Sequence, residues 1–339
     1  MLTQPAVVGL QWSNRRPDDP RPLTNDLPKQ MLPIVGVPMI ERVVSGLGVH
    51  GVTEAVLSLG YRPDAFLEAY PDGACAGVRL HYAVEPEPLD TAGAVRFAAL
   101  SAGIDDTFIV VNGDVLTDLD VSELWNFHRS HGAEGTIALT PVDDPSRYGV
   151  VPIDDDGRVL EFVEKPAPGT APTNWINAGT YVLEPSMLDR IAADRKVSIE
   201  RETFPAVVAD GRLFALHSDA YWIDAGTPQT YLRAQLDLID GTRATESAVD
   251  LSDSIDTSAR VLNSVLGSDV VIGNGAVIRD SILMEGVTVG PGVHIDHSIV
   301  ANGAWIGPDS HLSELTVVGA GQQVPARSML VGARLPEGE

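Results

Sequence analysis

VIGNGAVIRDSILMEGVTVGPGVHIDHSIVANGAWIGPDSHL, residues 271–312, carries the period from which the fold can be read. Short β-branched runs alternate there with glycine and small polar residues, and Gly273, Gly290 and Gly307 recur at 17-residue spacing. A strand of a few residues cannot bury its apolar edge alone. Repetition at this short spacing lets each coil cover the next, and the segment reads as a solenoid.

The units IGNGAV, VGPGVH and IGPDSH look like the six-residue repeat of a left-handed parallel β-helix, with coils of roughly 18 residues. A small irregular β-domain is the alternative reading. Just upstream, IDGTRATESAVD at 239–250 is small and polar and marks a boundary. Two domains are therefore expected, 1–240 and 241–339, the second ending in a polar tail.

Residues 6–240 alternate between strand and helix signals. PAVVGL at 5–10, TEAVLSLG at 53–60, GVRLHYAVE at 77–85 and TFIVVNGD at 107–114 read as strands. PMIERVVSGLGVH at 38–50 and TAGAVRFAAL at 91–100 read as helices between them. Such alternation favours a mostly parallel α/β sheet covered on both faces, with ligand loops at the strand ends. GTIALT, GVVPID, VLEFVEK and GTYVLE complete the sheet and a flanking hairpin, with DDDG at 154–157 as its turn.

A chain of 339 residues with 44% apolar content can fill two cores. Asp and Glu number 47 against 23 Lys and Arg, a formal net charge of -24. That surface repels a nucleic-acid backbone and argues against an extended nucleic-acid binder. A small phosphorylated substrate remains compatible, because a few cationic side chains and a divalent cation reverse the sign of one cleft. No run of twenty apolar residues spans a membrane, and residues 1–9 lack the pattern of a secretory signal, so the cytoplasm is the default expectation. Cys75 is the single cysteine. It excludes an internal disulfide and a multi-cysteine zinc site, and reads as a plain thiol.

Several side chains are placed for chemistry. Asp114 ends an apolar strand in NGD, where a carboxylate can hold magnesium or simply make a turn. Asp224, in YWIDAGTP, is a second candidate, and the two can share a cation only if the fold brings them together. Positive groups are scarce, so Lys29 in LPKQMLP and Lys165 in VEKP are candidates to meet phosphate, with solvent-facing lysines as the alternative. Asn177 and Gly179, in NAG, offer an amide and room for a hydroxyl-rich ligand, and Glu164 can accept hydrogen bonds from sugar hydroxyls. His128 and His131 lie three apart on an expected helix, where packing is favoured over a zinc pair. Trp175 fits the edge of a cleft or a core equally well.

At these residues the chain resembles the nucleoside-diphosphate-sugar pyrophosphorylases, especially the bacterial mannose-1-phosphate guanylyltransferase branch. RPLT at 21–24, PKQMLPIVGVPMI at 28–40, EPLDTAGA at 87–94 and VVNGDVL at 110–116 stand in that family's order. RYGVV at 147–151, FVEKP at 162–166, NAG at 177–179, SIERETFP at 198–205 and WIDAGTP at 222–228 follow. The resemblance implies a Rossmann-like mixed-sheet nucleotidyltransferase domain followed by the short left-handed β-helix. It further implies that Asp114 and Asp224 bind Mg²⁺, that Lys29 contacts the transferring phosphates, and that Lys165 holds the sugar 1-phosphate. Glu164 and Asn177 are then sugar ligands, with Gly179 beside them, and Arg21 belongs to the substrate-binding set. Glu87, Asp90 and Thr91 fall in the loop beside the nucleotide base, where family members often carry glycine at the position of Asp90.

The implied reaction joins a nucleoside triphosphate to a sugar 1-phosphate with loss of pyrophosphate; GTP and mannose 1-phosphate are the first choice. Glucose 1-phosphate with UTP or dTTP is an alternative pair. The β-helix end makes a homo-oligomer expected. One departure stands out. Where the family carries a glycine-rich GGxGTRLRPLT loop, this chain has Asn14-Arg15-Arg16-Pro17-Asp18-Asp19-Pro20 before Arg21. Glycine permits close phosphate approach, whereas proline fixes φ and removes an N–H, and aspartate brings negative charge. Two readings follow: a compensated frame error in the coding sequence, or a weak or inactive paralogue that binds sugar nucleotides and forms a hetero-oligomer with an active partner. An acyltransferase using His294, His297 and His311 of the β-helix is a third, remoter reading.

Overall fold

The computed structural model describes residues 6–9, 20–60, 62–193, 195–243 and 254–336. The altered loop at Asn14–Asp19 lies outside them, as does most of the expected boundary segment, 244–250. The described residues form two compact units, one of 40–222 with the first strand, the other of 20–39 with 223–336.

The first unit is built on a ten-stranded mixed sheet. Strand Ala6–Gly9 lies at its centre, parallel to Glu54–Leu59 on one side and to Phe108–Asn112 on the other. Glu54–Leu59 in turn pairs in parallel with Val78–Val84. These are the apolar runs picked out in the sequence, and both Glu54–Leu59 and Phe108–Asn112 are buried for nearly their whole length, as expected of parallel strands covered on both faces. On the other side the sheet turns antiparallel: Trp175–Leu183 pairs with Phe108–Asn112 and with Gly135–Pro141, and Leu213–His217 then runs parallel to Gly135–Pro141. The DDDG turn forms, with Gly157 N–H donating to Asp154 O at 3.0 Å and Ile153 bridged to Val159.

Helices Asp90–Ser101 and Val121–His131 supply apolar faces to this sheet. The second starts where Asp120 accepts from Glu123 N–H at 3.0 Å and stops at Gly132, whose φ of 56° closes the last turn. The core joins Phe108, Val110, Ile137, Leu139, Tyr181, Leu183, Phe204 and Leu213.

In the second unit, residues 254–336 form a left-handed parallel β-helix of three all-parallel sheets. Successive coils stack Val271 on Thr288 and Trp305 at 17-residue steps, and Trp305 on Gln323 at 18. The extra residue is accommodated at a corner. Earlier corners have one left-handed residue, Asn263, Asp280 or His297, whereas the longer coil has two, Glu314 and Leu315. Leu266, Ile272, Ile278, Val289, Ile295 and Ile306 fill the interior. Its recurrent glycines keep space clear: a Cβ on Gly290 would stand 2.8 Å from Pro308 N of the next coil.

Helix Pro228–Ile239 precedes this solenoid, opened by a Thr227–Thr230 capping box. It carries the early segment, since Gln235 Oε1 accepts from Val35 N–H at 3.1 Å and the Tyr231 hydroxyl donates to Pro33 O. The last coil touches that segment too: Arg334 Nη1 donates to Arg21 O at 3.0 Å.

Candidate functional site

In the first unit, candidate residues gather at the carboxyl ends of the central strands. Phe108–Asn112 runs out into Gly113 and Asp114, and Asp114 is only 7% exposed. Beside it, the pairing of Trp175–Leu183 slips between Asn177 and Tyr181, so NAG occupies a bulge. Gly179 has φ 75°, and a Cβ there would lie 2.6 Å from Asn112 Nδ2. The NGD and NAG motifs are thus packed directly together, and glycine is what permits it.

Asn177 is held at both ends of its amide. Its Oδ1 accepts from Gly179 N–H at 2.9 Å, and its Nδ2 donates to the Tyr181 hydroxyl at 2.9 Å. The Tyr181 ring is buried against Phe204, and burial first, then the nearby Glu200 charge, pushes its phenol well above the ordinary range. Trp222 closes the bulge from outside: its Nε1–H donates to Ala178 O at 2.8 Å, and Tyr148 meets its ring edge-on at 5.7 Å.

Glu164 and Lys165 follow on the strand paired with Gly149. Lys165 adopts φ 49°, and its exposed ammonium lies 3.8 Å from Glu164 Oε1. A Cβ on Gly149 would strike the Phe162 ring at 2.7 Å and approach Glu164 Oε2 at 3.1 Å. The missing side chain leaves the room that the Phe162 ring and the Glu164 carboxylate occupy.

The expected 87–91 loop is loop only to Leu89, since Asp90 and Thr91 open helix Asp90–Ser101, and the segment is fastened from below. Buried Glu85 accepts from Ser58 Oγ at 3.0 Å and from Leu89 N–H at 3.2 Å. Glu87 and Asp90 are exposed. Asp90 has φ 63°, the left-handed region, which supplies the reason for glycine at that position in the resembling family. Thr91 turns its hydroxyl into the fold, accepting from Ile199 N–H at 2.8 Å and donating to Glu200 Oε2 at 2.7 Å.

In the second unit, Lys29 opens a short 3₁₀ turn, Lys29–Met31, and Asp224 ends the strand Trp222–Asp224. Asp224 Oδ1 accepts from Gly226 N–H at 2.9 Å. A Cβ placed on Gly226 would stand 2.7 Å from that oxygen and 3.6 Å from Lys29 Nζ. WIDAGTP and PKQM, nearly two hundred residues apart in the chain, therefore bring a carboxylate and an ammonium to one glycine turn. Arg21 is fixed through its carbonyl by Arg334.

Among the described residues, no three His, Cys, Asp or Glu side chains cluster to cage a metal. Carboxylate oxygens on Asp114 and Asp224 suit Mg²⁺, a hard cation that binds through one or two carboxylates and fills its remaining positions with water and phosphate oxygens. His128 is a core residue, bonded to Thr136 Oγ1 at 2.8 Å and Glu184 Oε1 at 3.0 Å, while His131 packs on the Phe127 and Phe214 rings. Trp175 stacks on His217 with centroids 3.8 Å apart. Cys75 is buried, and burial lifts its thiol to about 11, which keeps it protonated and unreactive at neutral pH. Sequence reasoning missed Glu85, Trp222 and Glu200. Glu200 lay in plain view within SIERETFP, yet an acidic residue in a helical turn has no signal of its own.

Residues 21–241 match the family described as Nucleotidyl transferase, and residues 244–335 match the GMPPB C-terminal domain. A mannose-1-phosphate guanylyltransferase of Mycobacterium tuberculosis is 40% identical over 223 residues, 65% of this chain and 61% of that protein. A mannose-1-phosphate guanyltransferase of Aspergillus fumigatus is 44% identical over 218 residues, 62% of this chain and 58% of its own length. The match thus spans less than two thirds of either relative. Among solved structures, HddC from Yersinia pseudotuberculosis superposes with a TM-score of 0.59 at 31% identity, covering 68% of this chain and 98% of that one. The same protein complexed with GMP-PN gives a TM-score of 0.58. No helix among the described residues is long and apolar enough to cross a membrane.

Proposed function

The chain belongs to the nucleotidyl transferase family, and from that premise we propose that it transfers a nucleotidyl group from GTP to mannose 1-phosphate, releasing pyrophosphate and GDP-mannose. The observation that carries this reading is the direct packing of NGD on NAG through Asn112 and Gly179. It sets a candidate metal carboxylate beside a polar bulge suited to sugar hydroxyls. The guanylyl and mannosyl choice is supported by the names of the relatives, and the functional division follows the expected boundary near residue 240.

In this reading Glu164 and Asn177 orient the sugar and Lys165 neutralises its phosphate, whose oxygen attacks the α-phosphorus in line. Lys29 opposes the charge that grows on the phosphoryl oxygens, so the residues act by alignment and electrostatics without a covalent intermediate. Asp114 and Asp224 are the carboxylates that would each serve to hold Mg²⁺, which would supply positive charge to the phosphoryl oxygens. The loop 87–91 borders the base.

A panel crossing four nucleoside triphosphates with several hexose 1-phosphates, read as pyrophosphate release in Mg²⁺, tests the substrates. Clear excess for GTP with mannose 1-phosphate is expected, and equal turnover with another pair overturns the choice. Asp114→Asn and Asp224→Asn are each expected to lower kcat about a hundredfold or more. If they share one cation, the double variant is little worse than either single one, whereas multiplied losses count against a shared ion.

A second reading rests on Asn14–Asp19: a weakly active paralogue that binds sugar nucleotides and assembles with an active partner. Tight binding of GDP-mannose without measurable turnover by the purified chain would favour it.

A further inference from the structure

Glu200 ties together two segments of the first unit that come from distant stretches of chain. It lies in Ile199–Thr203, a π-helical turn, a form that often marks functional positions. Its Oε2 accepts from Thr91 Oγ1 at 2.7 Å and from Ser198 Oγ at 2.7 Å. The Thr91 hydroxyl is used in both directions, since it also accepts from Ile199 N–H at 2.8 Å. Backbone bonds reinforce the seam: Ala92 N–H donates to Val197 O at 2.9 Å, and Val197 N–H to Leu89 O at 3.1 Å. Gly93 allows the close fit, because a Cβ there would lie 2.9 Å from Leu89 Cβ and 3.7 Å from Arg195 O.

Directly after the turn the chain reaches the NAG bulge through Phe204. There Tyr181 accepts from Asn177, and Asn177 holds Gly179 over Asn112. Phe204, the first residue of the next helix, packs on Tyr181 with centroids 5.2 Å apart. Contacts therefore run from 87–91 to the turn at Glu200, and from Phe204, directly after that turn, to the bulge beside Asp114.

We infer that Glu200 is a positioning residue that, through Thr91, locks the base-side loop to the sugar-side bulge, so that ordering one by its ligand orders the other. This rests on the proposed assignment of 87–91 to the nucleotide and of 177–179 to the sugar. The expected consequence is positive coupling between the two substrates, which is reciprocal at equilibrium.

The test compares full-length wild type with Thr91→Val, Thr91→Ser and Glu200→Gln. Hydrogen exchange of the ligand-free protein is read on peptides covering 85–95, 175–183 and 196–204. Loss of the shared bond is expected to speed exchange in all three for Thr91→Val, with Thr91→Ser near wild type. Faster exchange confined to 85–95 overturns the lock. Binding of a GTP analogue with a methylene α,β-bridge is then measured with and without mannose 1-phosphate. The enhancement by the second ligand should fall roughly tenfold in Thr91→Val and Glu200→Gln, the factor that a hydrogen bond to a charged group represents. Equal weakening of each ligand alone, with the enhancement intact, also overturns the inference. If wild type binds neither ligand, the substrate assignment fails while the exchange data still decide whether Glu200 locks the two segments.

Discussion

Gly179 shows how much one missing Cβ decides. Its φ of 75° and the Asn112 amide, 2.6 Å from where a Cβ would sit, leave no room for a side chain. Gly179→Ala is expected to cost about 1–3 kcal/mol, the usual cost of a strained backbone position. It should also lower kcat/KM by turning Asn112 and the neighbouring Asp114 turn. Urea unfolding and steady-state kinetics would show both, and wild-type values in both would refute the packing argument. Asp90 shows the opposite solution, a non-glycine residue accepted at φ 63° at the exposed start of a helix. The sequence marked NAG and NGD as separate motifs. It held no sign that they touch, because a bulge is a property of pairing between strands.

At the scale of elements, the β-helix uses its glycines in two ways. Gly290 has no positive φ but faces the backbone of the next coil, 2.8 Å from Pro308 N and 3.0 Å from Ile306 O. Gly303 has φ 66° with nothing within 4 Å of where a Cβ would sit, so only its backbone conformation opposes substitution. Gly290→Ala must push neighbouring coils apart and should cost more than Gly303→Ala, for which about 1–2 kcal/mol is expected from the left-handed backbone alone. Comparable losses in thermal unfolding would contradict that distinction. The 17-residue recurrence and the stacking of coils were legible beforehand; which glycines face a neighbouring backbone was not.

His128 belongs to the same scale, since it joins helix Val121–His131 to the strand at Thr136 and to Glu184, just past the end of strand Trp175–Leu183. Burial lowers its pKa below the ordinary value, outweighing the upward pull of Glu184, and Arg129 adds to the lowering. The unfolded chain then binds a proton that the folded chain resists. Stability is full above about pH 6.5, the unfolded value, and declines as pH falls toward the lower folded value. The urea midpoint should drop between pH 7.5 and 5.5, and His128→Gln should show a smaller drop. An equal drop in both proteins would assign the effect elsewhere. Glu134 adds a further loss in stronger acid, because Arg190, hydrogen-bonded to it at 2.6 Å, holds its carboxyl below the ordinary value. Its contribution is complete above the unfolded value near 4.3 and disappears as pH falls through the folded one.

For the whole molecule, the formal charge of -24 is the dominant electrostatic fact. Like charges repel most strongly in the compact state, and at 0.15 M salt the screening length shrinks to about 8 Å. Tm at pH 7.5 is therefore expected to rise by a few degrees between 10 and 300 mM NaCl, measured by calorimetry. A fall over that range would mean that attractive ion pairs, such as Arg190 with Glu134 and Asp210, outweigh the net repulsion.

The sequence alone determined the two architectures and the order of motifs, because hydrophobic period and glycine spacing are local properties that survive without coordinates. The central strand, the α/β alternation and the coil length were all readable in that way. Only the tertiary structure decided that Gly179 rests on Asn112, that Thr91 spends its hydroxyl on Glu200, and that Lys29 and Asp224 meet at Gly226. These residues lie far apart in the chain, and no propensity records a contact that arises when distant elements pack.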